Sequence, residues 1–319
     1  MFKRPTIHKN SGPLSCPPFC SDWHRNFCGW IMLASISISS ILFSRIDGSA
    51  ESQSPITFSP IQVELVSDQL TVQPGQAFTV GIHQTIQSGY HTYWRNAGTV
   101  GLPTAIQWNL PKGFEASEIL WPTPELSKMA DYSVWGYHDE ALLLTQITPP
   151  KDFPIGNPIE LVGEGSWMCC GTQCHPGFKT LSIRLNSSDT ATPNPDWRSQ
   201  FQSVRDEQPR AFDQWAVQAM RKGNHYTLQL TTNHPIASPH SSQPRFYGHH
   251  RQVSSAKPQR IEKLETGYIL HLQHEEFSGE DKKTLSGIVV SDTPWDPKHP
   301  RSPLLINTAL TIQEEPEAP

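Results

Sequence analysis

Charge and long apolar runs are both scarce in this 319-residue sequence. Asp, Glu, Lys and Arg make up only 17% of it, and 25 Lys and Arg stand against 30 Asp and Glu, a formal net charge of −5. The first 50 residues hold five of the positive groups and two of the negative ones, which leaves residues 51–319 with 20 positive and 28 negative. A chain with that balance has no cationic footprint for a phosphate backbone, so nucleic acid is excluded as a partner. Cysteine is also scarce. Cys16, Cys20 and Cys28 lie near the N-terminus, and Cys169, Cys170 and Cys174 share one short stretch. A chain this long can build real hydrophobic cores and needs no disulfide framework to fold. No Ser-His-Asp arrangement, phosphate-cradling glycine loop or paired-carboxylate motif stands out. Asp139, Glu140 and Glu164 lie near other motifs but read as ordinary solvated acids, and no cofactor is expected.

The one long apolar run is FCGWIMLASISISSILFS, residues 27–44, preceded by Lys3, Arg4, Lys9 and Arg25 and followed by the small residues GSA at 48–50. It reads as a secretory signal with a long basic leader, or as an uncleaved membrane anchor. Either way residues 51–319 face a non-cytosolic compartment, exported and periplasmic. Cys16-x3-Cys20 lies inside this leader and carries little weight as a metal motif.

Proline is abundant, with 29 residues. Short strands punctuated by Gly, Pro, Asn and Asp clusters fill the rest of the chain. FTVGIHQTI (78–86), AIQWNL (105–110), ALLLTQI (141–147), IELVGEGSW (159–167) and FKTLSIRL (178–185) read as one strand series. YTLQLTT (226–232), GYILHLQ (267–273), LSGIVVS (285–291) and LLINTALTI (304–312) read as a second. The fold class expected is all-β, two antiparallel β-sandwich-like domains joined by a linker with a short helical segment. The boundaries are a leader at 1–50, a first β domain at 51–187, a linker at 188–224, a second β domain at 225–313 and a frayed tail at 314–319. Within the linker, 198–223 has helical spacing broken by Pro209, with Phe212, Trp215, Ala216 and Ala219 on one apolar face.

GSWMCCGTQCHPG, residues 165–177, carries the chemistry. Neighbouring strand residues face opposite ways, so Cys169 and Cys170 point apart. The turn-forming GTQ insert brings Cys170 and Cys174 within reach of each other, and leaves Cys169 as a buried thiol. Three readings follow for that pair. A redox pair suits a small bridge carried on a turn. A structural staple is poorly served by so short a ring, which contributes about 2 kcal/mol. A Cu(I) or Zn(II) site using Cys170, Cys174 and His175 has suitable soft ligands. Dense histidines such as His249-His250 are weak support for it.

Several segments occur in an order that resembles a known family. GYHTYWRNAGTVGLPTAIQWNLPKGF (89–114), ILWPTPE (119–125), YSVWGYHDEALLL (132–144) and SWMCCGTQCHPG (166–177) resemble the N-terminal periplasmic region of DsbD-type thiol:disulfide interchange proteins. The nearer branch is the one linked to suppression of copper sensitivity. Its W-x-x-Cys-x-x-x-Cys-x-Pro pattern is met by Trp167, Cys170, Cys174 and Pro176, and RFYGHHRQVSSAKPQRIEKLETGYILHL with LSGIVV resembles that branch's second β domain. The resemblance implies thiol–disulfide exchange at Cys170 and Cys174, as a component of a protein-disulfide reductase, with Cys174 attacking the client. It implies a cap loop over the pair, for which MADYSVWGY (129–137) offers Tyr132, Trp135 and Tyr137 as lids, while Tyr93 and Trp94 fill the sandwich. His175 is a candidate modulator of the thiolate. Full-length members continue into a membrane electron conduit and a thioredoxin-like domain. This sequence stops at Pro319, so the expected partners are a separate conduit or thioredoxin-like protein, and client disulfides. A copper-tolerance protein using the same cysteines, or a non-catalytic β-domain adaptor, are the other functions these residues allow.

Overall fold

The computed structural model describes residues 59–313 except 130, 237–242, 277, 280 and 281. The expected leader with Cys16, Cys20 and Cys28, and the expected tail at 314–319, lie outside the described residues. In chain order the first part runs β1 Ile61–Ser67, β2 Gln69–Val72, β3 Phe78–Ile86, β4 Thr92–Gly98, β5 Ala105–Asn109 and β6 Glu115–Ala116. It continues with β7 Glu125–Met129, β8 Tyr132–Tyr137, β9 Glu140–Thr148, β10 Pro158–Cys170, β11 Cys174–Ser187 and β12 Thr192–Pro193. One sheet has the order β1-β3-β9-β6 and a second β12-β2-β11-β10-β5, with a small third sheet β4-β8-β7 beside them.

Period-two patterning closes this sandwich. Ile61, Val63 and Leu65 of β1 and Ile159 and Leu161 of β10 turn inward, while Gln62, Glu64 and Glu160 stay exposed. The apolar run Ala141–Leu144 of β9 does not alternate, because both its faces are covered. Its second face meets α1, Arg198–Asp206, whose Phe201 and Val204 pack on Val66, Leu142 and Leu144. Burying Phe201 completely is worth about 1.5–3 kcal/mol.

The second part comprises β13 Trp215–Lys222, β14 His225–Thr232, β15 Arg245–Gly248, β16 Arg260–Leu264, β17 Gly267–Gln273, β18 Thr284–Val290 and β19 Leu304–Gln313. These form one curled sheet, β15-β18-β19-β13-β14-β17-β16, around Tyr226, Leu228, Phe246, Leu270 and Ile306. Most pairings are antiparallel, but β13 runs parallel to β19, as β11 does to β2. The all-β, two-part architecture is as the sequence implied, with one correction in the connecting segment. The helical pattern expected over 198–223 holds only for α1. Residues 215–222 are a strand, hydrogen-bonded to β14 on one side and β19 on the other. Their burial follows a period of two, with Ala219 buried and Ala216 exposed, so ladder pairing on both sides overrides a weak 3.6-residue pattern.

The two parts pack on each other. Tyr247 and Ile288 of the second part join the first core, where the Trp135 ring lies 5.5 Å from that of Tyr247. Asn96 Nδ2 donates to the Gly248 carbonyl at 2.7 Å, and Thr99 Oγ1 to Glu275 Oε2 at 2.7 Å.

Candidate functional site: the Cys170–Cys174 hairpin

β10 and β11 pair in register from Pro158 opposite Asn186 up to Cys170 opposite Cys174, and Gly171–Gln173 make the turn. Cys170 and Cys174 are joined as a disulfide with their Cα atoms 4.1 Å apart. Backbone pairing explains this closeness. The Cys170 N–H and C=O are both taken by His91 on the other side of the strand, at 2.9 Å each. Cys170 and Cys174 therefore face each other as a pair without mutual backbone hydrogen bonds, the kind that brings Cα atoms to about 4.5 Å. Gly171 is needed at the turn, since a Cβ there would stand 2.8 Å from the Gly89 carbonyl oxygen and 3.0 Å from the Tyr90 ring. Gly177 likewise makes room for the Trp167 indole that covers it from the opposite strand.

The two bridged sulfurs have unlike surroundings. Cys170 is fully buried, in a cluster with Tyr93, Ala97 and Val134. Cys174 is exposed and opens on a groove of about 790 Å³ lined by Ile61, Val63, Trp167, Pro176 and Phe178, among others. The Phe178 ring is 81% exposed there. Cys169 faces the opposite side, into the sandwich core, as a free buried thiol. Burial pushes its pKa up to about 11, which makes it unreactive at neutral pH.

Two of the three expected lids are drawn into the interior, and the third is Tyr132, opposite Met129 in the β7–β8 register. Trp135 and Tyr137 are interior, 1% and 4% exposed. Trp135 packs against Trp94 and Tyr247, and the Tyr137 hydroxyl donates to the Pro122 carbonyl at 2.9 Å. Tyr132 lies exposed at the tip of the β7–β8 hairpin. At the exposed sulfur MADYSVWGY contributes Met129, whose Sδ is 3.6 Å from Cys174 Sγ, while its Val134 packs around Cys170. The Tyr93 hydroxyl fixes Met129 by donating to the same Sδ at 3.2 Å. Tyr93 and Trp94 are buried in the sandwich, 0% and 1% exposed.

His175 follows Cys174 on the strand and so turns to the other face, its ring 5.8 Å from that of Tyr90. Among the described residues no group of three or more His, Cys, Asp or Glu is placed to hold a metal ion. His249 lies far from the sulfurs in sequence and packs 5.5 Å from the Trp94 ring, where burial, then Arg95 and His250, push its pKa down to about 4. Sequence reasoning missed His91. Only its position opposite Cys170 gives it importance, and that pairing is non-local.

Comparison with known proteins fits this geometry. Residues 60–185 match the family model described as "Thiol:disulfide interchange protein DsbD, N-terminal". No curated protein matches the sequence. Among solved structures, the N-terminal periplasmic domain of ScsB from Proteus mirabilis superposes with a TM-score of 0.57 at 17% identity, over 80% of this chain and 94% of that one. That likeness is one of fold, and it spans both β parts. A protein of unknown function from Porphyromonas gingivalis W83 aligns at 12% identity over 80% of this chain and all of its own, but with a TM-score of 0.21 the likeness carries no argument. The resemblance to the N-terminal region of DsbD-type thiol:disulfide interchange proteins therefore holds for residues 60–185, the part of the chain that carries Cys170 and Cys174.

Proposed function

We propose that the protein is an exported thiol–disulfide exchange module in which Cys170 and Cys174 pass electrons between a reduced partner and client disulfides. The observation that carries this reading is the asymmetry of the pair, one sulfur buried in the sheet and its partner open to a groove. An incoming thiolate must approach along the S–S axis, and only Cys174 Sγ is open to it. Attack there forms a bond between the partner's sulfur and Cys174, breaks the Cys170–Cys174 bond and leaves the electron pair on Cys170. A second thiol of the partner then resolves the mixed disulfide and releases the reduced Cys170, Cys174 pair. In the forward half-reaction the Cys174 thiolate attacks a client disulfide, and Cys170 closes on Cys174 to expel the reduced client. Atoms and electrons balance over the two steps, with two electrons carried per cycle.

Donors of the kind this chemistry needs are thioredoxin-like proteins or a membrane electron conduit, and the recipients are client disulfides. An oxidising, non-cytosolic compartment is where such a shuttle is useful. Met129 over Cys174 supplies the shielding that a dithiol needs there.

The test is the reduction potential of the pair in the full chain, by equilibration with glutathione buffers and peptide-resolved mass spectrometry. A potential of roughly −180 to −270 mV supports a shuttle, whereas one below about −300 mV marks an inert bridge and ends this reading.

A further inference from the structure

Opening the bridge creates a buried charge. When a partner thiolate bonds to Cys174 Sγ, the electron pair of the broken bond rests on Cys170 Sγ, which is 0% exposed among Tyr93, Ala97 and Val134. A thiolate in apolar surroundings is strongly disfavoured unless a donor meets it. Backbone amides of Cys170 are already engaged with His91. The Tyr93 hydroxyl is engaged with Met129.

His91 is a further polar side chain beside Cys170. It and Cys170 are bridge partners that exchange both backbone hydrogen bonds, which places their side chains next to each other on one face of the sheet. The ring is 2% exposed, and its Nε2 has no hydrogen-bond partner while the disulfide is closed. Orphaned buried polar atoms are few in folded proteins, and a redox or catalytic role is one of the explanations they call for. Burial, and then the neighbouring His138, push the His91 pKa down to about 4, so the ring is neutral at physiological pH and still carries one N–H.

We infer that His91 is the hydrogen-bond partner of the Cys170 sulfur in the reduced protein, an interaction that the closed disulfide leaves unmade. In the tautomer protonated at Nε2, the ring donates to the departing Cys170 thiolate, which a solvent proton then neutralises. His91 thus stabilises the reduced state and the step that leads to it. This inference rests on the exchange reading above and deepens it, by assigning a group to the sulfur that no partner can reach.

The experiment compares the full-length protein with His91→Phe, His91→Leu and His91→Gln, the first two lacking a donor and the last keeping one. Each is equilibrated with glutathione, its thiols are trapped, and the Cys170 and Cys174 peptides are read by mass spectrometry. Loss of one buried hydrogen bond to the reduced sulfur lowers the equilibrium constant for reduction by up to about tenfold, equal to about 30 mV. His91→Phe is expected to show that fall, and His91→Gln to recover most of it. The reduced His91→Phe protein melts earlier than the reduced wild type, while the oxidised form holds its melting temperature or gains, because an unpaired buried nitrogen is gone. A purely structural histidine lowers both forms equally, and that result overturns the inference, as does a constant within about twofold of wild type in both variants without a donor. His91→Leu covers the case in which Phe does not fit. A wild-type pair that glutathione cannot reduce removes the exchange reading and this inference together, whereas a reducible wild type with unmoved variants removes the inference alone.

Discussion

Replacing Cys174 by Ser separates a redox bridge from a structural one, because the structure fixes how much stability the bridge can supply. The bridge closes a loop of five residues, Cys170 to Cys174. For a ring that small the chain-entropy relation gives about 2 kcal/mol. Little more is available from native contacts. β10 and β11 are already paired down to Pro158 and Asn186, and β10 is paired again with β5, so neither strand needs the sulfurs to stay in place. The exposed Cys174 side chain gives up no core packing when it becomes serine. Cys174→Ser is therefore expected to remain folded and to lose about 2 kcal/mol, or roughly 4–8 °C in melting temperature for a chain of this size. Exchange activity, read as mixed-disulfide formation with a dithiol donor, should vanish. Urea titration followed by tryptophan fluorescence gives the first quantity, and trapping with mass spectrometry gives the second. A stability loss of about 4 kcal/mol or more would show that the bridge is a staple, beyond what its ring size allows. Exchange that survives without Cys174 would remove the pair from the mechanism.

Met129→Ala takes away the thioether that rests on Cys174 Sγ, so air oxidation of the reduced pair should quicken several-fold while equilibrium stability changes by less than about 1.5 kcal/mol, and an unchanged oxidation rate counts against Met129 as the shield. Trp135→Ala should act differently: its ring is buried against Trp94 and Tyr247, so urea titration should show a loss of about 3–5 kcal/mol. Phe201→Ala empties the contact between α1 and β9 and should cost about 3–5 kcal/mol, with no change in the potential of the distant disulfide. Acid should destabilise the fold through His91. Its pKa falls from 6.5 in the unfolded chain to about 4 in the folded one, so the unfolded state binds the extra proton first. The stability is complete above about pH 6.5 and is lost as pH drops toward 4, by up to roughly 3 kcal/mol, and His91→Gln should flatten that part of the profile.

The cysteine chemistry was legible because it is local. Strand alternation sends Cys169 and Cys170 to opposite faces whatever the rest of the fold does, and a three-residue turn decides that Cys170 meets Cys174. The strand series was legible for the same reason, since Leu181, Ile183 and Leu185 of FKTLSIRL share one face while Ser182 and Arg184 stay exposed, all within five residues. What failed to show were features made by distant chain segments. Residues 215–222 carry a faint helical pattern, and only the strands flanking them on both sides, β14 and β19, make them a strand. The aromatic residues of MADYSVWGY looked like lids because aromatics cover sites well. Trp135 and Tyr137 are instead drawn inward, where large rings bury the most area, and the smaller, flexible Met129 is left at the sulfur. His91 has no sequence signal at all, being one of 14 histidines until β10 is laid beside it.

The neighbouring cysteines show how a single strand can hold two thiols in different chemical states. Cys169 and Cys170 share a backbone, and both are 0% exposed. Cys169 lies among apolar side chains with no sulfur opposite it, and burial alone holds it protonated with a pKa of about 11. Cys170 is as deeply buried, but the turn delivers Cys174 to it on one side and an isolated bridge just before β4 delivers His91 on the other. On the exchange reading, depth alone does not make a cysteine inert, and what its side of the sheet faces decides the outcome. Moving the pair one residue along β10 would turn the bridge to the face of Cys169, into the sandwich core and away from any partner. On that same exchange reading, the alternation of the strand is the selector of which thiol reacts. Of the three thiols in the reduced protein, Cys174 should accordingly be alkylated first, Cys170 at the rate at which the hairpin opens, and Cys169 slowest, only on unfolding. Labelling of Cys169 in the native protein at a rate like that of Cys174 would contradict this account.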